Sequence, residues 1–232
     1  MIIGTGLIAN AFKHTYKQSK DVCIYAAGVS NSLCVDPNEF ERERQRLTVA
    51  LRESQNLDCF VYFSTCSVAD LEIQYAPYVM HKLAMEQLVV THPRHLIFRL
   101  PQVVGITSNP HTLLNFLYAR IARSESFQLW AKACRNIIDV DDMANIAGLL
   151  IEDVFVRNMT VNIANPVSYS MIYIVKSMES AIGKPAIYKL IERGSIYEID
   201  LSVIQHFLGK SYVTFGDNYL TTVIGKYYAR VD

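Results

Sequence analysis

Short β-branched and aromatic runs alternate with segments of helical period along the first hundred residues, and that alternation constrains the fold more than any other feature. "MII" precedes "IANAFKHTYKQSK", "VCIYAA" precedes "PNEFERERQRLTVALRES", "CFVYFST" precedes "PYVMHKLAMEQLVV", and "HLIFRL" follows. Strands that alternate with helices are joined by crossovers, so the pattern predicts βαβ units and a parallel sheet with helices on both faces. Pro37 and Pro77 each stand where a helix should begin; the fixed φ of proline suits that position and no donor is lost there.

After Leu100 the rhythm loosens. "PQVVGITSNP" reads as a loop, "TLLNFLYARIARS" as a helix, "RNIIDVDDMANIAGLLIED" as a strand running into a helix, and "MTVNIAN" as a further strand. From Pro166 the pattern gives a helix closed by Gly183, a short strand near "AIYKLI", and helices in "DLSVIQHFLG" and "NYLTTVIGKYY". The expectation is a core over residues 1–165, with 106–135 contributing to the substrate side, and a small lobe over 166–232 covering the carboxyl edge of the sheet. Ligands of open parallel sheets bind at that edge.

Composition narrows the function. The 232 residues carry 22 basic and 22 acidic side chains, so no field invites nucleic acid or an anionic membrane surface. The five cysteines, Cys23, Cys34, Cys59, Cys66 and Cys134, are odd in number and unpaired in spacing, which fits reduced thiols in a cytoplasmic protein better than disulfides. No ligand spacing for a metal occurs, and no apolar run is long enough to span a bilayer.

Two constellations carry chemistry. Gly4-x-Gly6-x-x-Ala9 follows the first apolar run; glycines let a backbone approach a pyrophosphate, and the helix N-terminus behind them supplies donors. Taken alone, the same residues serve equally as a tight strand-to-helix turn. Tyr78-x-x-x-Lys82 sets a phenol and an ammonium one helical turn apart, and a nearby cation draws a tyrosine pKa down from about 10 towards neutrality. The preceding strand ends in Ser64-Thr65, hydroxyls facing the same crevice.

With these motifs on the page, the chain resembles the extended short-chain dehydrogenase/reductase family, the NAD-dependent nucleotide-sugar epimerases, dehydratases and ketoreductases. "GTGLIA", "IYAAG", "FSTCSV", "PYVMHKLAMEQL", "FRLPQVVG", "RNIIDVDDMA" and "VNIAN" match its motifs in order over residues 1–165. The resemblance implies a Rossmann-like core and a catalytic set of Thr65, Tyr78 and Lys82, with Tyr78 as acid/base. It implies NAD(P)(H) binding by Gly4, Gly6, Leu7, Ile8, Ala26, Ala27, Gly28, Lys82, Leu100, Pro101 and Val103. Substrate contacts would fall to Thr65, Cys66, Ser67, Tyr78, Gln102 and Arg135. A homodimer through the helices at 38–54 and 77–90 is a further implication.

Departures from that pattern narrow the activity. The family's 4,6-dehydratases carry an Asp-Glu pair after the catalytic Thr, where this chain has Cys66 and Ser67, so 4,6-dehydration is not expected. The branch that epimerises before reducing has a cysteine at the place of Ser67; Cys66 is one residue out of register and reads as a buried filler. "DVCIYAAG" matches the family's fourth strand and not its second, so the usual second and third strands are absent, along with the acidic residue that holds the adenosine ribose. The expectation is an NAD(P)-dependent reductase of a 4-keto nucleotide sugar in surface polysaccharide synthesis. A 4-epimerase and a non-catalytic nucleotide-binding relative are the alternatives.

Overall fold

The computed structural model describes residues 1–229. The chain enters through the two-residue strand β1 (Ile2–Ile3), turns through Gly4 to Gly6 into α1 (Leu7–Tyr16), and returns at β2 (Val22–Tyr25). Then follow α2 (Pro37–Glu53), β3 (Cys59–Thr65), α3 (Pro77–Val89) and β4 (His95–Leu100). Beyond them come β5 (Gln102–Val104), α4 (Leu113–Ala122), β6 (Phe127–Trp130), β7 (Cys134–Asp139), α5 (Val140–Glu152) and β8 (Met159–Asn162). The last elements are β9 (Ser168–Ser170), α6 (Met171–Ile182), β10 (Tyr188–Ile191), α7 (Ser202–Leu208) and α8 (Tyr219–Tyr228).

Local chemistry sets the boundaries. Asp36 accepts from the Asn38 N–H ahead of Pro37 and so caps α2, while Asp139 accepts from the Asp141 N–H and caps α5. Gly183 ends α6 in the left-handed region at φ 68°, a conformation that costs glycine least.

The main sheet runs β1-β2-β3-β4-β8, and its registers are parallel throughout. All seven residues of β3 are buried because helices cover both faces, which explains its unbroken apolar run. Phe12, Ile24, Val61, Phe98, Ile146 and Leu150 belong to the core beneath α1 and α5; Tyr25, Leu47, Phe60, Tyr62 and Met85 belong to the one beneath α2 and α3.

β1 lies at the sheet edge, paired only with β2 through Ile2↔Ile24 and Ile3↔Tyr25. Nothing but α1 separates them in sequence, so the usual second and third strands are absent, as the early arrival at "AAG" implies.

A third core joins α4, α6 and α8 to β6 and β7 through Leu117, Ile121, Leu129, Ile174, Met178 and Leu220. The residues after Pro166 divide: α6 and α8 build this core, whereas Ile204 and Phe207 of α7 pack back into the core beneath α5. The segment read as a loop, "PQVVGITSNP", contains β5, which pairs in parallel with β7. Two other strands lack a sequence signal: β6 pairs with β10, and β9 runs antiparallel to β7.

Candidate active site

At the carboxyl edge of the main sheet a cleft of about 670 Å³ runs from the glycine turn past the ends of β2, β3 and β4. Its first wall is the turn itself. Gly4 sits at φ +132°, and a Cβ there would run into the Ala26 carbonyl, so only glycine lets the β1–α1 turn lie against the end of β2. A Cβ on Gly6 would meet nothing within 4 Å. Gly6 is also the N-cap of α1 and has no side chain to satisfy the first N–H groups of the helix, while Leu7 and Ile8 line the cleft. Uncapped donors at a positive helix end, approached through glycine, fit the pyrophosphate of a dinucleotide.

The second wall is the helix α3, which carries Tyr78 and Lys82. Pro77 starts it, which places Tyr78 in the first turn and Lys82 one turn later, both against the end of β3. One more turn on, Glu86 takes a two-pronged pair from Arg99 of β4, at 2.9 and 2.6 Å, and a hydrogen bond from Ser64 of β3. Geometry of that kind fixes the angle and height of a helix against a sheet. Thr65 accepts from the Ser67 N–H and caps the short 3-10 turn that follows β3.

Between α2 and α3 lies a charged cluster. Glu43 of α2 is 1% exposed and Lys82 is 3% exposed. The Lys82 ammonium donates to Glu43 Oε1 at 3.0 Å and to the Tyr62 hydroxyl at 3.1 Å. Glu43 also accepts from Tyr62 at 2.7 Å, from the Val29 N–H at 2.6 Å and from His81 Nε2 at 2.9 Å. His81 is stacked on Phe40 at 4.5 Å between centroids. Gly28 roofs the pair: a Cβ there would stand 2.6 Å from both Glu43 Oε1 and Lys82 Nζ.

These contacts decide the protonation states. Burial alone would lift the Glu43 carboxyl, yet the bond from His81, the charge of Lys82 and the bonds from Val29 and Tyr62 hold it down to about 2. Burial pushes the Lys82 ammonium towards neutrality, and Glu43 opposes that push. Tyr78 departs from the sequence expectation. Burial raises its pKa and the charge of Glu43 raises it further, with only the Thr65 hydroxyl pulling down. Lys82 does not draw it towards neutrality, because the ammonium is bonded to Glu43 and Tyr62 and lies 6.0 Å from the centre of the Tyr78 ring.

The cleft brings together most of the residues read from the sequence. Gly4, Gly6, Leu7 and Ile8 form one end, with Ala26, Ala27 and Gly28 beside them. Thr65, Ser67, Tyr78 and Lys82 form the centre, and Leu100, Pro101, Gln102 and Val103 the far side. Two of the residues read as substrate contacts are not part of the lining. Cys66 is buried, donates to the Arg99 carbonyl, and has its thiol pKa pushed up to about 12 by burial. Arg135 is half-buried and donates to the Cys134 carbonyl.

Glu43 and Arg46 have no place among the residues read from the sequence, whereas the polar stretch Thr107 to Thr112 falls in the 106–135 segment assigned to the substrate side and lines the cleft. A signal for Glu43 existed: it stands at i with Leu47 at i+4 and Ala50 at i+7, on the apolar stripe of α2. Arg46 is exposed, lines the cleft beside Tyr25 and has no ion pair among the described residues. No carboxylate lines the cleft among the described residues, so the acidic ribose ligand of the usual fold has no counterpart there.

Fold and site together define a Rossmann-type nucleotide-binding protein with a Thr/Tyr/Lys constellation at the sheet's carboxyl edge. The sequence model of the NAD dependent epimerase/dehydratase family matches residues 10–164, and the chain belongs to that family. No curated protein matches it in sequence. Among solved structures, UDP-glucuronic acid 4-epimerase from Bacillus cereus, in complex with UDP-glucuronic acid and NAD, is similar over 98% of this chain and 88% of its own. The identity there is 17% and the TM-score 0.74. UDP-glucose 4-epimerase from Thermotoga maritima is 16% identical with a TM-score of 0.70, covering 96% of this chain and 82% of its own. The dTDP-glucose 4,6-dehydratase from Bacillus anthracis is 14% identical with a TM-score of 0.67, covering 97% and 79%.

Proposed function

We propose that the protein is an NAD(P)-dependent oxidoreductase acting on a nucleotide-linked sugar, working as a 4-ketoreductase in surface polysaccharide synthesis. The observation that carries this reading is the position of β1 at the sheet edge, which removes the strands that normally embrace the adenosine end of the cofactor. A reductase exchanges its cofactor at every turnover and works with a loosely held one. An epimerase must keep its nucleotide through oxidation and re-reduction.

The residues divide the work. Uncapped N–H groups at the start of α1, reached through Gly4 and Gly6, would hold the pyrophosphate. The bound nicotinamide supplies the hydride. Tyr78, held as a phenol, gives its proton to the carbonyl oxygen, and Thr65 beside it bonds the same oxygen. Lys82 has three donors, two of them engaged by Glu43 and Tyr62, which leaves one for a ribose hydroxyl.

A 4-epimerase is the second reading, favoured by the activity named for the Bacillus cereus and Thermotoga maritima structures. The test is a panel of nucleotide-linked 4-keto sugars, followed by the absorbance of NADH and NADPH. Consumption of one of them with a keto substrate supports reduction. Interconversion of UDP-sugars without net cofactor change contradicts it.

A further inference from the structure

The site holds a buried carboxylate that the oxidoreductase reading does not require. Glu43 is 1% exposed, yet it lies under Gly28 and touches Lys82, two residues of the cleft wall. A carboxylate that served only to tie α2 to the sheet could do so anywhere along the helix. This one is bonded by groups from three parts of the fold: Tyr62 of β3, His81 and Lys82 of α3, and the Val29 N–H of the loop after β2. Tyr25 of β2 adds a bond to its backbone carbonyl, and Arg42 and Arg46 stand on its own helix near Tyr25. Glu86, one turn beyond Lys82, is already paired with Arg99. Glu43 is therefore the one carboxylate that bonds the Lys82 ammonium among the described residues.

We propose that Glu43 is a positioning residue whose carboxylate neutralises Lys82 inside the site, so that Tyr78 is kept a neutral phenol that gives a proton rather than takes one. The proposal rests on the oxidoreductase reading for its consequence and on geometry for its substance. A lone ammonium one turn from a buried phenol favours phenolate, and an ion pair there does not. In the reduction so favoured, the carbonyl carbon gains a hydride from the reduced nicotinamide, and its oxygen gains the Tyr78 proton. The C=O π bond gives way to one C–H and one O–H bond, the cofactor is left oxidised, and solvent returns the proton to Tyr78.

The test needs neither substrate nor cofactor. With tyrosine labelled at the ζ carbon, NMR follows each phenol through a pH titration, and Tyr78→Phe identifies the resonance. In the wild-type protein Tyr78 stays un-ionised to pH about 10 or above. In Glu43→Gln either it ionises lower by about one pH unit or more, because the Lys82 ammonium is then uncompensated, or Lys82 itself gives up its proton, since Glu43 no longer opposes the push of burial. The double variant Glu43→Gln, Lys82→Met carries no buried charge at this point and returns Tyr78 to wild-type behaviour. If Glu43→Gln does not fold, the wild-type and double-variant titrations decide. A wild-type Tyr78 that ionises near neutrality, or a double variant whose Tyr78 ionises well below the wild type, overturns the proposal. So does a folded Glu43→Gln in which Tyr78 is unchanged and Lys82, followed by its side-chain nitrogen resonance, still carries its proton. The oxidoreductase reading fails separately, if NADH and NADPH do not bind the wild-type protein while the titrations behave as stated.

Discussion

The two ends of the cleft are built to different standards. At the end that holds Thr65, Tyr78 and Lys82, β3 and β4 share six register pairs, every residue of β3 is buried, and Glu43 and Glu86 pin α3 on both sides. At the dinucleotide end, β1 contributes two residues, pairs on one side only, and relies on Gly4 to bring its turn onto β2. On the proposed reading, the contrast would make chemistry and cofactor retention separable in this fold. The groups proposed to move protons sit mid-sheet, where every residue of β3 is buried, and the proposed pyrophosphate turn sits on an edge strand of two residues.

Variants can break or sharpen that contrast. Tyr78→Phe has the largest expected effect, a loss of turnover of about 10²- to 10⁴-fold, with NADH binding retained by fluorescence titration. Unchanged cellular function in that variant would favour a binding role over catalysis. Lys82→Met comes next, since it strands a buried carboxylate; urea unfolding should show a loss of about 3–5 kcal/mol. Exposed pairs on α2, such as Arg42 with Glu39, should contribute about 0–1 kcal/mol by the same measurement.

Acid stability comes third. The Glu43 pKa is depressed from 4.5 to about 2 in the folded protein, so its contribution is fully present above pH 4.5 and is lost as pH falls towards 2. A depression of that size corresponds to about 3 kcal/mol, and Glu43→Gln should flatten the fall in stability across that window in acid unfolding curves. At the dinucleotide end a smaller effect is expected than at either buried charge. Gly4→Ala forces an L side chain into φ +132° against Ala26, costing about 1–3 kcal/mol by urea unfolding and weakening NADH binding.

Much of this division is legible in the sequence. The sheet is readable because buried parallel strands are unbroken apolar runs, and the loss of two strands is readable because α1 reaches "AAG" so soon. β5, β6 and β9 are not. Ser168–Ser170 holds one apolar residue between two serines, Phe127–Trp130 is only four residues long, and Gln102–Val104 follows a proline. Tyr78 and Lys82 stand out by spacing and Thr65 by its place at the end of a strand, but the state of Tyr78 is not readable, because it depends on Glu43. In "FERERQR" the composition is that of a solvated helix face, and only the register with Leu47 and Ala50 shows which charge turns inward. A pairing between residues 39 apart cannot be inferred from either local segment.

The central claim is that a complete proton-transfer site is joined to a dinucleotide end that lets its cofactor go. It is tested most directly by the nucleotide content of the purified, dialysed protein, read by chromatography of the acid extract. The account predicts far less than one nicotinamide dinucleotide per chain, together with saturable NADH or NADPH binding when cofactor is added back. Stoichiometric NAD surviving dialysis would contradict it and make the 4-epimerase the better reading.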